Sequence, residues 1–275
     1  MRFLKRKLLV GFFLIFCSLS AFSQLQLNLN YGSYLEREIE EKYSTHYQYV
    51  DDVITGESNP KSIYLLIISN KKELSYFLRH TEVFVNVEKL HIYKVKLKDF
   101  SFLKSLKKLR VLSLAQNKRI NFGSLVNILN RLPNVKHLYI TNKRLFKFPS
   151  QINELKHLKS LGIRGTKIKE FRITPNLYYL DLSSNQKMNY TSLEVFSTEV
   201  INLSKINVLV FPIGLGKIKT LRALIFSQVP VMKFDCPIKG FKNLEILDIF
   251  GSPIYNIKNS CFKDAKKLEI IQQTE

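Results

Sequence analysis

"LRVLSLAQN", residues 109–117, carries leucine at its first, fourth and sixth places and asparagine at its ninth. The fourth and sixth residues alternate with small or polar ones, so a strand of this sequence buries one face and shows the other. One such hexamer marks any half-buried strand. What decides the fold is that the beat returns.

The template apolar-x-x-apolar-x-apolar recurs as "IYLLII" from Ile63, "VEKLHI" from Val87, "LRVLSL" from Leu109, "VKHLYI" from Val135 and "LKSLGI" from Leu158. It continues as "LYYLDL" from Leu177, a degraded "TEVINL" from Thr198, "LRALIF" from Leu221, "LEILDI" from Leu244 and a partial "LEII" from Leu268. Successive starts are 24, 22, 26, 23, 19, 21, 23, 23 and 24 residues apart. A near-fixed period of this length marks a solenoid, whose units bury their apolar faces only against their neighbours. The chain must return in the same direction after every period, so the strands stack in parallel, ~4.8 Å apart. The intervening segments cross behind them, and residues such as Phe102, Leu103 and Leu106 close the core from the back.

Two units extend the pattern: "LFKFPSQINELKHLKSL" (145–161) and "VLVFPIGLGKIKTLRAL" (208–224). Both run apolar-x-x-Phe-Pro and then place apolar residues at helix-like spacing. From about Ile63 to Ile271 the chain resembles the leucine-rich repeat family in its typical bacterial form. The resemblance implies an α/β repeat solenoid: an arc with a parallel β-sheet on its concave face and helical or irregular segments on its convex face. It also gives the ninth place a duty, to turn the chain out of the strand and to bond backbone groups that the turn leaves unpaired. Asn117 and Asn185 fit that duty. Val95, Lys143, Thr166, Ile206, Val229 and Ser252 depart from the asparagine, so the expected ladder is broken and the arc irregular.

The organisation follows. Residues 63–267 hold about nine repeats, 268–275 a partial repeat that caps the C-terminal end, and 24–62 an N-terminal cap. Within that cap "YLEREIEEKYSTHYQYV" (34–50) has helix-forming composition. Residues 1–23 read as a secretory signal: basic Arg2, Lys5, Arg6 and Lys7, an apolar run from Leu8 to about Leu19, and Ala21-Phe22-Ser23 before cleavage. The run is shorter than the ~20 residues a spanning helix needs. Phe16 before Cys17 is too large for a lipoprotein cleavage site. No second apolar stretch follows, so the processed chain is expected to lack a transmembrane segment and to be secreted, periplasmic or at the cell surface.

Export removes Cys17 and leaves Cys236 and Cys261. The residues leave two readings: a disulfide, as an oxidising compartment allows, or two small hydrophobes packed between repeats. Their places within successive repeats differ by two residues, which favours the second. No histidine or cysteine spacing suggests a zinc site.

With 45% hydrophobic and 24% charged residues among 275, the chain is a folded protein rather than a disordered or membrane-embedded one. Its formal charge is +21, and residues 63–275 hold 36 basic against 15 acidic groups. Such a body attracts polyanions weakly.

Catalytic patterns are scarce. "IGLGKIKT" (213–220) lacks the P-loop spacing and has Ile218 where a hydroxyl belongs. His46, His80, His91, His137 and His157 show no metal-binding spacing, and no Gly-x-Ser-x-Gly elbow occurs. The expectation is a non-enzymatic module without a cofactor.

A recognition surface belongs at the outward strand positions, the third, fifth and seventh places. These offer Lys89, His91, Tyr93, His137, Tyr139, Arg164, Tyr179, Asp181, Asn202, Asp248 and Phe250, with small residues such as Ser113, Ser160 and Gly162 between them. Aromatics give large contact area at low entropic cost, so this mixture fits a protein or peptide partner, with His91/Tyr93, His137/Tyr139 and Arg164/Tyr179/Asp181 as anchors. The alternative is electrostatic adhesion to acidic polysaccharide, nucleic acid or membrane. It would use a flank of Lys107, Lys108, Arg110, Lys136, Lys156, Lys159, Lys219, Arg222, Lys242, Lys266 and Lys267. That flank lacks the interleaved aromatics of a specific nucleic-acid site.

Overall fold

The computed structural model describes residues 48–272, except 98, 119, 191–192, 232–235 and 254–256. The expected signal 1–23, with Cys17, and residues 24–47 of the expected cap lie outside the described residues, as do 273–275.

The expected cap contributes β1 (Gln48–Tyr49), and the repeats contribute one short strand each: β2 (Leu65–Ile68), β3 (Lys89–Tyr93), β4 (Val111–Ala115), β5 (His137–Thr141) and β6 (Ser160–Arg164). After a small convex strand β7 (Arg172–Ile173) come β8 (Leu177–Asp181), a second convex strand β9 (Glu194–Val195) and β10 (Thr198–Asn202). Then follow β11 (Ala223–Ile225), β12 (Ile246–Asp248) and β13 (Glu269–Ile271). Eleven of them form one sheet in chain order, β7 and β9 pair separately, and every pairing is parallel. This is an α/β repeat solenoid with one long parallel sheet, as the leucine-rich repeat resemblance implies.

The fourth-place residues Leu90, Leu112, Leu138, Leu161, Leu180, Ile201, Leu224 and Leu247 align in register, and all are 0% exposed. The crossing segments vary. Helices α1 (Val50–Ile54), α2 (Lys71–Arg79) and α3 (Phe122–Leu129) serve the first half, while 3-10 turns such as Ser150–Glu154 and Ile213–Lys217 serve the Phe-Pro units. The helix starts are capped, Asn70 accepting from the Glu73 N–H at 2.9 Å and Asn121 from that of Ser124 at 3.0 Å. In the second half, Phe211 packs against Phe226, Phe241 and Phe262 at ring distances of 5.6–5.8 Å, a phenylalanine spine behind the strands.

The ninth place is less broken than its composition predicts. Asn117 accepts from the Val95 N–H (3.0 Å) and donates to the Ile92 carbonyl (2.8 Å), so it caps the repeat before its own. Asn185 does the same for Thr166 and Ile163, and Ser252 for Val229 and Phe226. A valine at the ninth place is therefore harmless when the next repeat supplies the polar group. In the repeat of Lys143 a polar group comes one residue earlier, at the eighth place, where Asn142 donates to the Asn117 carbonyl. The eighth place is left-handed at Lys94, Gln116, Gly165, Ser184, Lys205, Gln228 and Gly251. At the first six, that N–H donates to the neighbouring repeat's seventh-place carbonyl and extends the ladder past the strands.

Two other expectations change. Cys236 and Cys261 are joined in a disulfide, Cα to Cα 5.1 Å, with Cys261 buried and Cys236 exposed. Ile238 pairs with Phe262, so the two cysteines sit two and one residues before paired positions, and the offset is smaller than the repeat template suggests. The last strand also pairs one residue out of step with the template, Ile246 facing Glu269. Among the described residues, no helix is long and apolar enough to cross a membrane.

Candidate functional site

On the concave face the third, fifth and seventh places form three rows running across the strands. The registers place Lys89, Val111, His137, Ser160, Tyr179, Val200, Ala223 and Ile246 in the third-place row. Most of this row is not exposed. Leu65, Val111, Tyr139, Tyr179, Val200, Ala223, Ile225 and Ile246 form a second apolar cluster, separate from the main core and spread over the inner surface.

That finding corrects the expected surface. Lys89, His137, Tyr139, Tyr179 and Asp181 are buried, at 1%, 5%, 3%, 6% and 3% exposure. The reason is side-chain size across neighbouring strands. Gly162 faces Tyr139, and the tyrosine ring lies so close over it that a Cβ there would come 2.5 Å from the ring. Ser160 beside His137 is likewise small, so the larger residues fold across it instead of standing into solvent.

A polar network links the middle of this layer. The Arg164 guanidinium lies 5.2 Å over the Tyr139 ring, and its Nε is 3.4 Å from Asp181 Oδ2. The Tyr179 hydroxyl donates to the same carboxylate (3.4 Å) and accepts from Asn202 Nδ2 (3.3 Å). Burial, then the Asp181 charge, drives the Tyr179 hydroxyl well above its ordinary pKa, so it stays a donor. The other Asp181 oxygen accepts from the Ser183 N–H, as Asn202 does from Ser204 and Asp248 from Phe250, each at 2.9 Å. These fifth-place side chains thus brace their own strand ends. Burial raises the Asp248 pKa against the lowering effect of the Phe250 N–H and the Ser227 hydroxyl.

His137 is held neutral: burial first, then the charges of Arg110 and Lys136, lower its pKa from 6.5 to about 4. His91 Nδ1 lies 2.9 Å from the Ser113 hydroxyl, its ring stacks with Tyr93 at 6.3 Å, and Lys94 lies 4.6 Å over the tyrosine. His91 and Tyr93 are half-buried, whereas Phe250 is 49% exposed at the far end.

The accessible part of the face is therefore its seventh-place row: Tyr93, Ala115, Thr141, Arg164, Ser183, Ser204, Ser227 and Phe250, partly or fully exposed. Aromatics mark both ends, roughly 30 Å apart at the ordinary strand spacing. Hydroxyls and one guanidinium lie between. The sequence reading counts Gly162 only as a small residue between the aromatics, whereas its size settles how Tyr139 lies. Its signal was present, a glycine at the fifth place beside an aromatic one repeat earlier.

The flank before the strands is mixed rather than uniformly basic. Arg110 lies 3.6 Å from buried Glu88, and Arg222 lies 3.7 Å from Glu199 and 2.8 Å from Glu245. The lysines named for this flank are exposed, apart from half-buried Lys136. Among the described residues, no group of three or more histidine, cysteine or acidic side chains could hold a metal ion. The stretch 213–220 forms a 3-10 turn and the loop after it, not a phosphate cradle.

No protein-family model matches the chain. Among solved structures, an internalin from Listeria monocytogenes is similar, with 21% identity over 70% of this chain and 62% of that one, at a TM-score of 0.46. A leucine-rich repeat protein of Leptospira interrogans shares 21% identity over 77% of this chain and 62% of that one, at 0.40. A plant peptide hormone receptor in complex with RGF2 shares 16% over 77% of this chain and 31% of that one, at 0.29. The chain thus spans less than two thirds of the length of each.

Proposed function

We propose that this protein is a non-enzymatic recognition module that works outside the cytoplasm and binds a protein or peptide along the seventh-place row of its concave face. The observation that carries the reading is the braced platform beneath that row. Tyr139, Tyr179, Asp181 and Asn202 are packed or bonded in one arrangement, so Arg164 is already held in place before a partner arrives. Preorganisation of this kind lowers the entropy lost on binding. Tyr93 and Phe250 supply accessible aromatic area at the two ends, and His91, Asn202 and Asp248 supply polar groups beside them. Lys89 and His137 are buried and serve the platform, not the partner. The placement outside the cytoplasm rests on the secretory-type leader and gains support from the Cys236–Cys261 bond.

The test is a pull-down from the organism's own envelope and culture fluid with the chain beginning at Gln24, at about 0.15 M and about 0.5 M salt, where the screening length falls from roughly 8 Å to about 4 Å. A Tyr93→Ala/Phe250→Ala variant runs beside it. A protein captured at both salts and lost with the variant supports the reading. Capture of polyanions alone, abolished by salt and indifferent to the variant, sinks it and transfers the role to the lysine flank.

A further inference from the structure

Among the described residues, a cluster of exposed aliphatic side chains lies away from the concave face. Leu209, Val210 and Ile213 are 55%, 56% and 63% exposed, although they flank the buried Phe211 that anchors the phenylalanine spine. Val210 and Ile213 form one wall of an open groove of about 550 Å³, and Pro237 and Ile238 form another. Its floor is backbone brought close by two glycines. A Cβ on Gly216 would stand 2.9 Å from Phe241, and one on Gly240 would stand 2.9 Å from the Gly216 carbonyl. Lys217 and Lys239 edge the groove, none of its described lining residues is acidic, and Asp264 accepts from the Gly240 N–H at 2.7 Å.

The charge at the groove itself is basic: Lys217 and Lys239 are both exposed at its edge, whereas Arg222 farther along is paired with Glu199 and Glu245. A partner that combines apolar matter with negative charge complements such a patch. Protein interfaces draw their central energy from Tyr, Trp and Arg seated in pockets and are depleted in lysine. This patch has the reverse character: protruding aliphatic tips with lysines at their base. Lysine stems lie along apolar surface while their ammonium groups reach outward. That is the arrangement by which a peripheral protein seats itself at the boundary of a bilayer.

We propose that the 209–213 turn, with Lys217 and Lys239, docks on the surface of a membrane containing anionic lipid. Leu209, Val210 and Ile213 enter the headgroup boundary, and the two lysines lie against lipid phosphates. The concave face is left open to a partner, so the two surfaces operate independently.

The experiment measures co-sedimentation of the chain beginning at Gln24, freed of the apolar leader that would itself enter bilayers, with vesicles. The vesicles are phosphatidylcholine alone or phosphatidylcholine with about a third phosphatidylglycerol. Two variants are compared, Val210→Ser/Ile213→Ser and Lys217→Ala/Lys239→Ala. All four positions are at the surface, and a thermal melt within a degree or so of the parent shows that the variants keep the fold. Binding to anionic but not neutral vesicles is expected, weaker by about tenfold or more when the two aliphatic tips become serine and by about tenfold when both lysines are removed. Binding that ignores the serine changes would assign the attraction to lysines elsewhere and overturn the proposal. No binding to either vesicle would overturn it too. So would preference for an acidic amphipathic peptide added in competition, which would make the groove a protein site.

Discussion

Leu138 and Tyr139 are neighbours on β5 that point to opposite sides of the sheet, and both are buried, at 0% and 3% exposure. Leu138 is buried by the solenoid's own stacking, as the fourth place of every repeat is. Tyr139 is buried on the inside of the arc, where nothing covers the sheet except other side chains. The first kind of burial follows from periodicity. The second depends on which residues stand side by side across neighbouring strands, here a tyrosine beside a glycine. The concave face therefore has a fixed apolar layer of its own, and only its margin is left to meet a partner.

The comparison breaks most directly by truncating each neighbour. Leu138→Ala opens a cavity in close-packed surroundings and should destabilise by about 3 to 4 kcal/mol. Tyr139→Ala should cost about 2 to 3 kcal/mol, because Gly162 and the Arg164 guanidinium lose their cover but water reaches the space more easily. Urea denaturation of both variants checks the pair. A Tyr139→Ala cost near zero would mean that the ring lies on the surface as ordinary exposed area, and the inner layer would not be a structural element.

How far the sequence was legible follows the same division. The fourth and sixth places, Leu90 to Ile249, were readable because an alternating pattern repeated at a near-constant interval has one three-dimensional solution. Asn117 and Asn185 were readable as turn residues, but not their reach: each serves the repeat before it, so Val95 looked like a defect in isolation. The exposure of Tyr139, Tyr179 and Asp181 was misread because alternation gives the side of the sheet, not what lies over it. Of the two readings open for the cysteine pair, the sequence favours the unbonded one for a related reason. The template was aligned on strands, whereas the bond forms after the turn, where Ile238 rather than a strand residue sets the register.

A titration sharpens the contrast on the inner side. His137 has a folded pKa of about 4 against an ordinary 6.5. Between those values the unfolded chain binds the proton and the folded chain does not, so stability rises with pH across that window. His137 contributes its full stability above about pH 6.5 and loses it progressively as pH falls toward 4. By linkage the loss between pH 7.5 and pH 5 is about 2 kcal/mol from this one group. His137→Gln should flatten that part of the curve while lowering stability less at pH 5 than at pH 7.5. An unchanged pH dependence in the variant would show that water reaches the imidazole and that the third-place row is open.

The smallest effect on stability falls at the edge of the inner layer, and there the comparison touches function. Phe250 is 49% exposed and sits at a seventh place, where its N–H is already satisfied by Asp248. Phe250→Ala should therefore change stability by no more than about 0.5 kcal/mol, as surface substitutions do. The same substitution removes accessible aromatic area from one end of the seventh-place row, so a partner seated there should bind about tenfold or more weakly. Affinity measured by calorimetry against the captured partner, with denaturation on the same samples, separates the two quantities. A residue that matters to binding and not to folding is what an interface requires. If Phe250→Ala instead destabilised the chain by as much as Tyr139→Ala does, the apolar layer would extend to the rim. The contact surface would then have to be sought outside the concave face.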